Sequence, residues 1–285
     1  MKLTRRKLLV WLAAAVGTII VLGGLYLAVF FLPYPLFPHH AEFAGFSVYS
    51  DQSLSMTLAP DFEEARRRVE VMPLYRGSAL PRVFLSHSRR RFALLVRLAG
   101  KRHAGQGLLI SAAGNMFLSL PGIQAVARRH EGLPDKSRVE GSLAAAVAHE
   151  VAHSLIFDRF GLRGARRLPA WKSEGYADFS ANLAAIKSDV DYDLCRRIDL
   201  VLDPDAWSGP VGPVNRRHVR WQVLVEYLSL EKGLDFDALL DPTLTESTAM
   251  SDMTAWHERG CGRVKPAEQR RPTSGGSSMR PPPGS

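Results

Sequence analysis

Near its start the chain carries one unbroken stretch, Leu8 to Leu32, in which no charged residue occurs. Wound as a helix it would measure about 37 Å, enough to cross a hydrocarbon layer of about 30 Å with some tilt. Pro33, Pro35 and Pro38 follow and predict a short, stiff exit linker over residues 33–42. Beyond it the pattern becomes that of a globular domain, residues 43–261. Phe46 to Leu58 alternates as a strand or hairpin does, and Asp61 is placed to cap a helix whose first turn holds Glu63 and Glu64. Arg82 to Ser86 predicts a strand and Phe92 to Leu98 a helix. Gly107 to Leu120 predicts two short strands around Gly114-Asn115. From Ser137 the spacing turns helical. Ser137 and Glu140 form a capping-box pair, and their helix should run to about Phe160 and stop at Gly161. A second helix should open near Pro169 and pass Ala185, with others at Arg217 to Glu231 and Thr245 to His257.

Composition changes this picture at the two ends. The formal net charge is +9. Four positive charges in residues 1–7, and five against one negative in residues 262–285, leave about +1 for everything between. Paired arginines recur, but acidic residues are interspersed and no aromatic stacking pattern accompanies them, so nucleic acid is not the expected partner. Lys2, Arg5, Arg6 and Lys7 immediately precede the apolar run. They place the N-terminus, residues 1–7, in the cytoplasm and the domain outside it. A removed signal peptide is the rival reading; its apolar region would be about half as long and would end in a small-x-small site. Residues 262–285, rich in Pro, Gly, Ser and Arg, should be a disordered tail. Cys195 and Cys261 are the two cysteines, and outside the cytoplasm they could form one disulfide.

The candidate chemistry lies in His149-Glu150-Val151-Ala152-His153. Two histidines four apart on a helix project from one face and can share one Zn²⁺, while Glu150 can take a proton from a water activated by that ion. A catalytic zinc needs a third protein ligand from another segment. Glu174 is the candidate, in Trp171-Lys172-Ser173-Glu174-Gly175-Tyr176-Ala177-Asp178. Asp178, one turn further along the same face, is placed to hold the remaining nitrogen of one histidine.

The two motifs together, HExxH and then WxxEGxAD, resemble the gluzincin branch of zinc metallopeptidases, over about Ser137 to Ala185. The resemblance implies His149, His153 and Glu174 as zinc ligands, Glu150 as general base and Asp178 as the support of a histidine. It also implies an α+β, zincin-like domain with a small N-terminal mixed sheet and a mainly helical C-terminal half, here behind one transmembrane helix. In such folds an edge strand takes the substrate peptide, and Gly114 to Leu120 is the expected edge. The family generally adds a Tyr or His that donates to the oxyanion; His218 and Tyr227 are the candidates, with the Trp221 indole as a weaker donor. The expected activity is hydrolysis of peptide or protein substrates by a membrane-anchored enzyme. The alternative is a catalytically weak or inactive zincin-fold protein that binds or assembles at the membrane.

Overall fold

The first helix, α1 (Arg5–Phe31), forms because nothing in its sequence interrupts an apolar run. Its Leu9–Phe31 stretch is 23 residues long, with a mean hydropathy of 2.3. By length and composition it can cross a membrane. In this computed structural model, which describes residues 5–101, 105–130, 142–203 and 213–261, the chain leaves α1 without a free linker. A single 3-10 turn spans Tyr34–Leu36, Phe37 is buried, and β1 (His39–Phe43) begins directly. The expected linker is therefore part of the domain. Prolines set its backbone, but burial of Phe30 and Phe37 against Phe84 and Phe117 decides where it lies. Ala44 and Gly45, both at positive φ (49° and 83°), close a tight hairpin into β2 (Phe46–Ser50). The hairpin expected within Phe46 to Leu58 is thus made with the segment upstream.

The helix α2 (Ala59–Glu70) follows; Asp61 sits in its first turn, and Leu58 holds the cap position. Then come β3 (Arg82–Ser86), α3 (Arg89–Leu98, capped by Ser88), β4 (Gly107–Ile110) and β5 (Asn115–Ser119). The five strands form one mixed sheet in the order β1-β2-β3-β5-β4. β2, β3 and β5 run parallel, with Val83 opposite Met116; β1 and β4 are antiparallel to their neighbours. Period-two alternation divides the side chains between two layers. Val83, Leu85, Met116 and Leu118 pack with the helices of one face, whereas Phe84, Leu108 and Phe117 pack with Phe30, Phe37 and Phe92 on the other. The expected edge at Gly114 to Leu120 is corrected: β5 is paired on both sides, and β4 is the edge on that side of the sheet. Gly114, at φ 60°, turns the chain so that β4 lies outside β5.

After α4 (Leu120–His130) the described chain resumes at Ser142, whose side chain caps α5 (Leu143–Arg167) by accepting from Ala145 N–H at 3.0 Å. Ser137 and Glu140, the expected capping pair, lie outside the described residues, as does the tail 262–285. Gly161, at φ 64°, breaks α5 where a stop was expected, but a second helical piece continues to Arg167. α6 (Ala170–Ser188), α7 (Leu194–Leu202), α8 (Pro213–Glu226), a π-helical turn at Tyr227–Glu231, α9 (Phe236–Leu239) and α10 (Glu246–Gly260) complete the chain. A Cys195–Cys261 disulfide joins α7 to the end of α10.

Candidate metal centre

α5 lies under the sheet with its buried face made of alanines and Val147, Val151 and Leu155, small enough for close approach. That packing turns His149 and His153 toward α6, one turn apart. Their Nε2 atoms are 3.1 Å apart, and Glu174 Oε2 lies 3.5 Å from the first and 3.4 Å from the second. Among the described residues, this is the His/Cys/Asp/Glu group whose ligand atoms converge closely enough to hold a metal ion. Ligands bound at about 2.0–2.1 Å around a tetrahedral zinc are roughly 3.3 Å from one another. The three separations bracket that value, so the donor set fits such an ion in both chemistry and size.

The nitrogens that face away from this point are also held. His149 Nδ1 is 2.7 Å from Asp178 Oδ1, and His153 Nδ1 is 3.4 Å from Ser173 Oγ. With Nδ1–H donating to these oxygens, each Nε2 lone pair is left for a cation. Asp178 reaches further: its Oδ2 is 3.1 Å from His218 Nδ1, so one carboxylate spans α6 to both α5 and α8. Burial works against ionisation of Asp178, but the His149 and His218 rings outweigh it and hold its pKa down. Glu174 is likewise held far below the usual carboxylate range by His149 and His153, against the cost of burial. His149 responds in the opposite sense. Burial alone would lower it, yet Asp178 and Glu174 raise it well above its ordinary value. In His218 the Asp178 hydrogen bond is the largest influence and also raises the pKa. Negative charge gathered around the two Nε2 atoms is what a divalent cation would neutralise.

Glu150 faces the other wall. It is mostly buried, and a Cβ built on Gly107 would stand 2.1 Å from its Oε1. The first residue of the edge strand therefore has to be glycine for the carboxylate to sit where it does. Gly175 plays the matching part on α6, where a Cβ would come within 2.6 Å of the Trp221 carbonyl oxygen. Without a side chain there, α6 and α8 approach closely and bring His218 onto Asp178. Both glycines were missed as site residues. The Gly105-Gln106-Gly107 run ahead of an apolar strand was the available signal.

The sequence candidates thus divide. His149, Glu150, His153, Glu174, Asp178 and His218 all line one cleft of about 1090 Å³, together with β4. Tyr227 does not. It is wholly buried in the helical core and its hydroxyl donates to Asp252 Oδ2 at 2.9 Å, so it is removed as an oxyanion donor. Trp221 is occupied too, its indole N–H donating to Glu246 at 2.9 Å. No protein-family model matches the chain, and no curated protein matches it significantly.

Proposed function

We propose that this chain is a membrane-anchored zinc metallopeptidase of the gluzincin type, with a zincin-like domain outside the cytoplasm. The observation that carries the reading is the near-equal spacing, 3.1 to 3.5 Å, of two imidazole nitrogens and one carboxylate oxygen, with Glu150 beside them in the same cleft. His149, His153 and Glu174 would hold the zinc, which when bound supplies Lewis acidity toward water and a carbonyl oxygen. Glu150 takes a proton from the attacking water and returns it to the leaving nitrogen. Asp178 orients His149 and, through its second oxygen, His218. With Tyr227 and Trp221 committed elsewhere, His218 is the side chain left to donate to the developing oxyanion. The outer side of β4, which no strand pairs among the described residues, offers backbone groups to an extended peptide. Lys2, Arg5, Arg6 and Lys7, ahead of the apolar run, support an N-terminus in the cytoplasm, and the disulfide suits an oxidising compartment on the far side.

The test uses the full chain in detergent. Glu150→Gln is expected to retain one zinc by elemental analysis and to lose peptide hydrolysis by at least about 10³-fold. His153→Ala should lose both metal and activity. Zinc bound with no hydrolysis of any peptide or unfolded protein by the wild type would instead identify a binding or assembly protein. Retained hydrolysis in Glu150→Gln would contradict the mechanism.

A further inference from the structure

The end of α1 is built into the domain rather than tethered to it. Tyr26, inside the membrane-spanning window, donates its hydroxyl to the Leu98 carbonyl in the last turn of α3 at 2.6 Å. Asn115, wholly buried at the start of β5, donates its side-chain N–H to the Phe30 carbonyl at 2.7 Å. Phe30 packs edge-on to Phe117. These contacts fix the orientation of the domain on the helix, and hence on the bilayer.

They also set a height. A hydrocarbon layer takes about 20 helical residues; counted from Leu9, where the apolar window begins, they end near Ala28, so Tyr26 falls within about one turn of the outer interface, where tyrosine is favoured. Its partner Leu98 must then lie at the level of the lipid headgroups. The solvent face of α3 suits that level: Arg90 and Arg97 flank Leu94, which is 57 % exposed, and exposed Lys101 follows. Ala99 and Lys101, immediately beyond Leu98, line the same cleft as His149 and Glu150.

From this continuity we infer that the cleft opens at the membrane surface and takes as substrate the extended segment adjoining the membrane span of another inserted polypeptide. This rests on the peptidase reading above for its chemistry, and on the anchor contacts for its geometry. A peptide lying along β4 enters past α3 at headgroup height. A soluble peptide must reach the same opening against the bilayer.

Two measurements on the full chain in anionic phospholipid vesicles test it. In the first, Leu94→Cys carries a fluorophore on its thiol, the native cysteines being paired. Quenching by lipids with a nitroxide at the headgroup is expected, and absence of quenching overturns the geometry. In the second, one cleavable sequence is displayed on a single-span helix at about 5 or about 60 flexible residues from the bilayer, at equal surface density. Cleavage is expected to be about tenfold faster at the short distance. Equal rates, or a preference for the long spacer, overturn the substrate class while leaving the peptidase standing. Failure to cleave any substrate, including unfolded protein in detergent, overturns the peptidase reading, and the quenching result then decides the orientation alone.

Discussion

At the scale of single residues, the convergence of His149, His153 and Glu174 was legible because helix geometry makes it so. A separation of four residues puts His149 and His153 on one face whatever else the fold does, and Glu174 and Asp178 repeat that spacing on α6. Which of His218 and Tyr227 faces the cleft was not legible for the same reason. His218 and Tyr227 are nine residues apart, which at about 100° per residue sets them on opposite faces of a helix; only one could face the cleft, and the sequence did not say which. Gly107 was invisible because its role is an absent side chain. Gly107→Ala is expected to force the Glu150 carboxylate aside, since the methyl group would stand 2.1 Å from Oε1. Displacing a reacting group by about 1 Å can cost on the order of 10²-fold in rate. On the peptidase proposal the expected result is kcat reduced by that order with zinc content unchanged, because the atoms nearest the added methyl belong to Glu150 and not to His149, His153 or Glu174. Unchanged kcat would show that Glu150 works from another position.

Among elements, the strands β3, β4 and β5 and the helices α3, α6 and α10 were foreseen to within a few residues, since each is bounded by its own cap, glycine or proline. The sheet order was not foreseen, because pairing is a long-range choice. α6 against α8 shows how one position decides such a choice. Gly175→Ala should gain up to about 1 kcal/mol of helix propensity. The new Cβ would meet backbone at 2.6 Å, however, and overpacking costs about 1–3 kcal/mol. The net expectation is a destabilised protein, read by urea titration, in which His218 no longer reaches Asp178. A gain in stability would show that α8 moves freely. The corner joining β2, β3 and α3 is held by Asp51, which accepts from the His87 backbone N–H at 2.9 Å and pairs with Arg91 at 3.3 Å. Burial of Asp51 is outweighed by its bonds to His87 and Ser86 and by Arg91, so its folded pKa lies below its ordinary 3.8. A carboxyl lowered on folding contributes stability above its unfolded pKa and loses it as pH falls through the folded value. Thermal unfolding from pH 6 downward should therefore fall more steeply for the wild type than for Asp51→Asn. Parallel curves would remove Asp51 from the acid response.

For the whole molecule, the sequence separated two things that the fold joins. The apolar run and the proline-rich stretch after it read as an anchor and a tether because hydropathy and proline content are local quantities. What they omit is the aromatic layer on the outer face of the sheet, where Phe84, Phe117 and Tyr49 need a cover that α3 supplies only in part. Phe30 and Phe37 complete it, and Asn115 loses its bonding partner if they leave. Deleting residues 1–38 to obtain a soluble domain would expose that layer. Removing two buried phenylalanines costs on the order of 3–6 kcal/mol from area alone, and the stranded Asn115 adds about 1–3 kcal/mol more. Against a typical domain stability of 5–15 kcal/mol, this is a large fraction. The truncated domain is therefore expected to melt well below the full chain in the same detergent, or to aggregate, although His149, His153 and Glu174 are all present. A truncated domain with an unchanged melting temperature would show that α1 is only a tether, and would detach the cleft from the bilayer along with it.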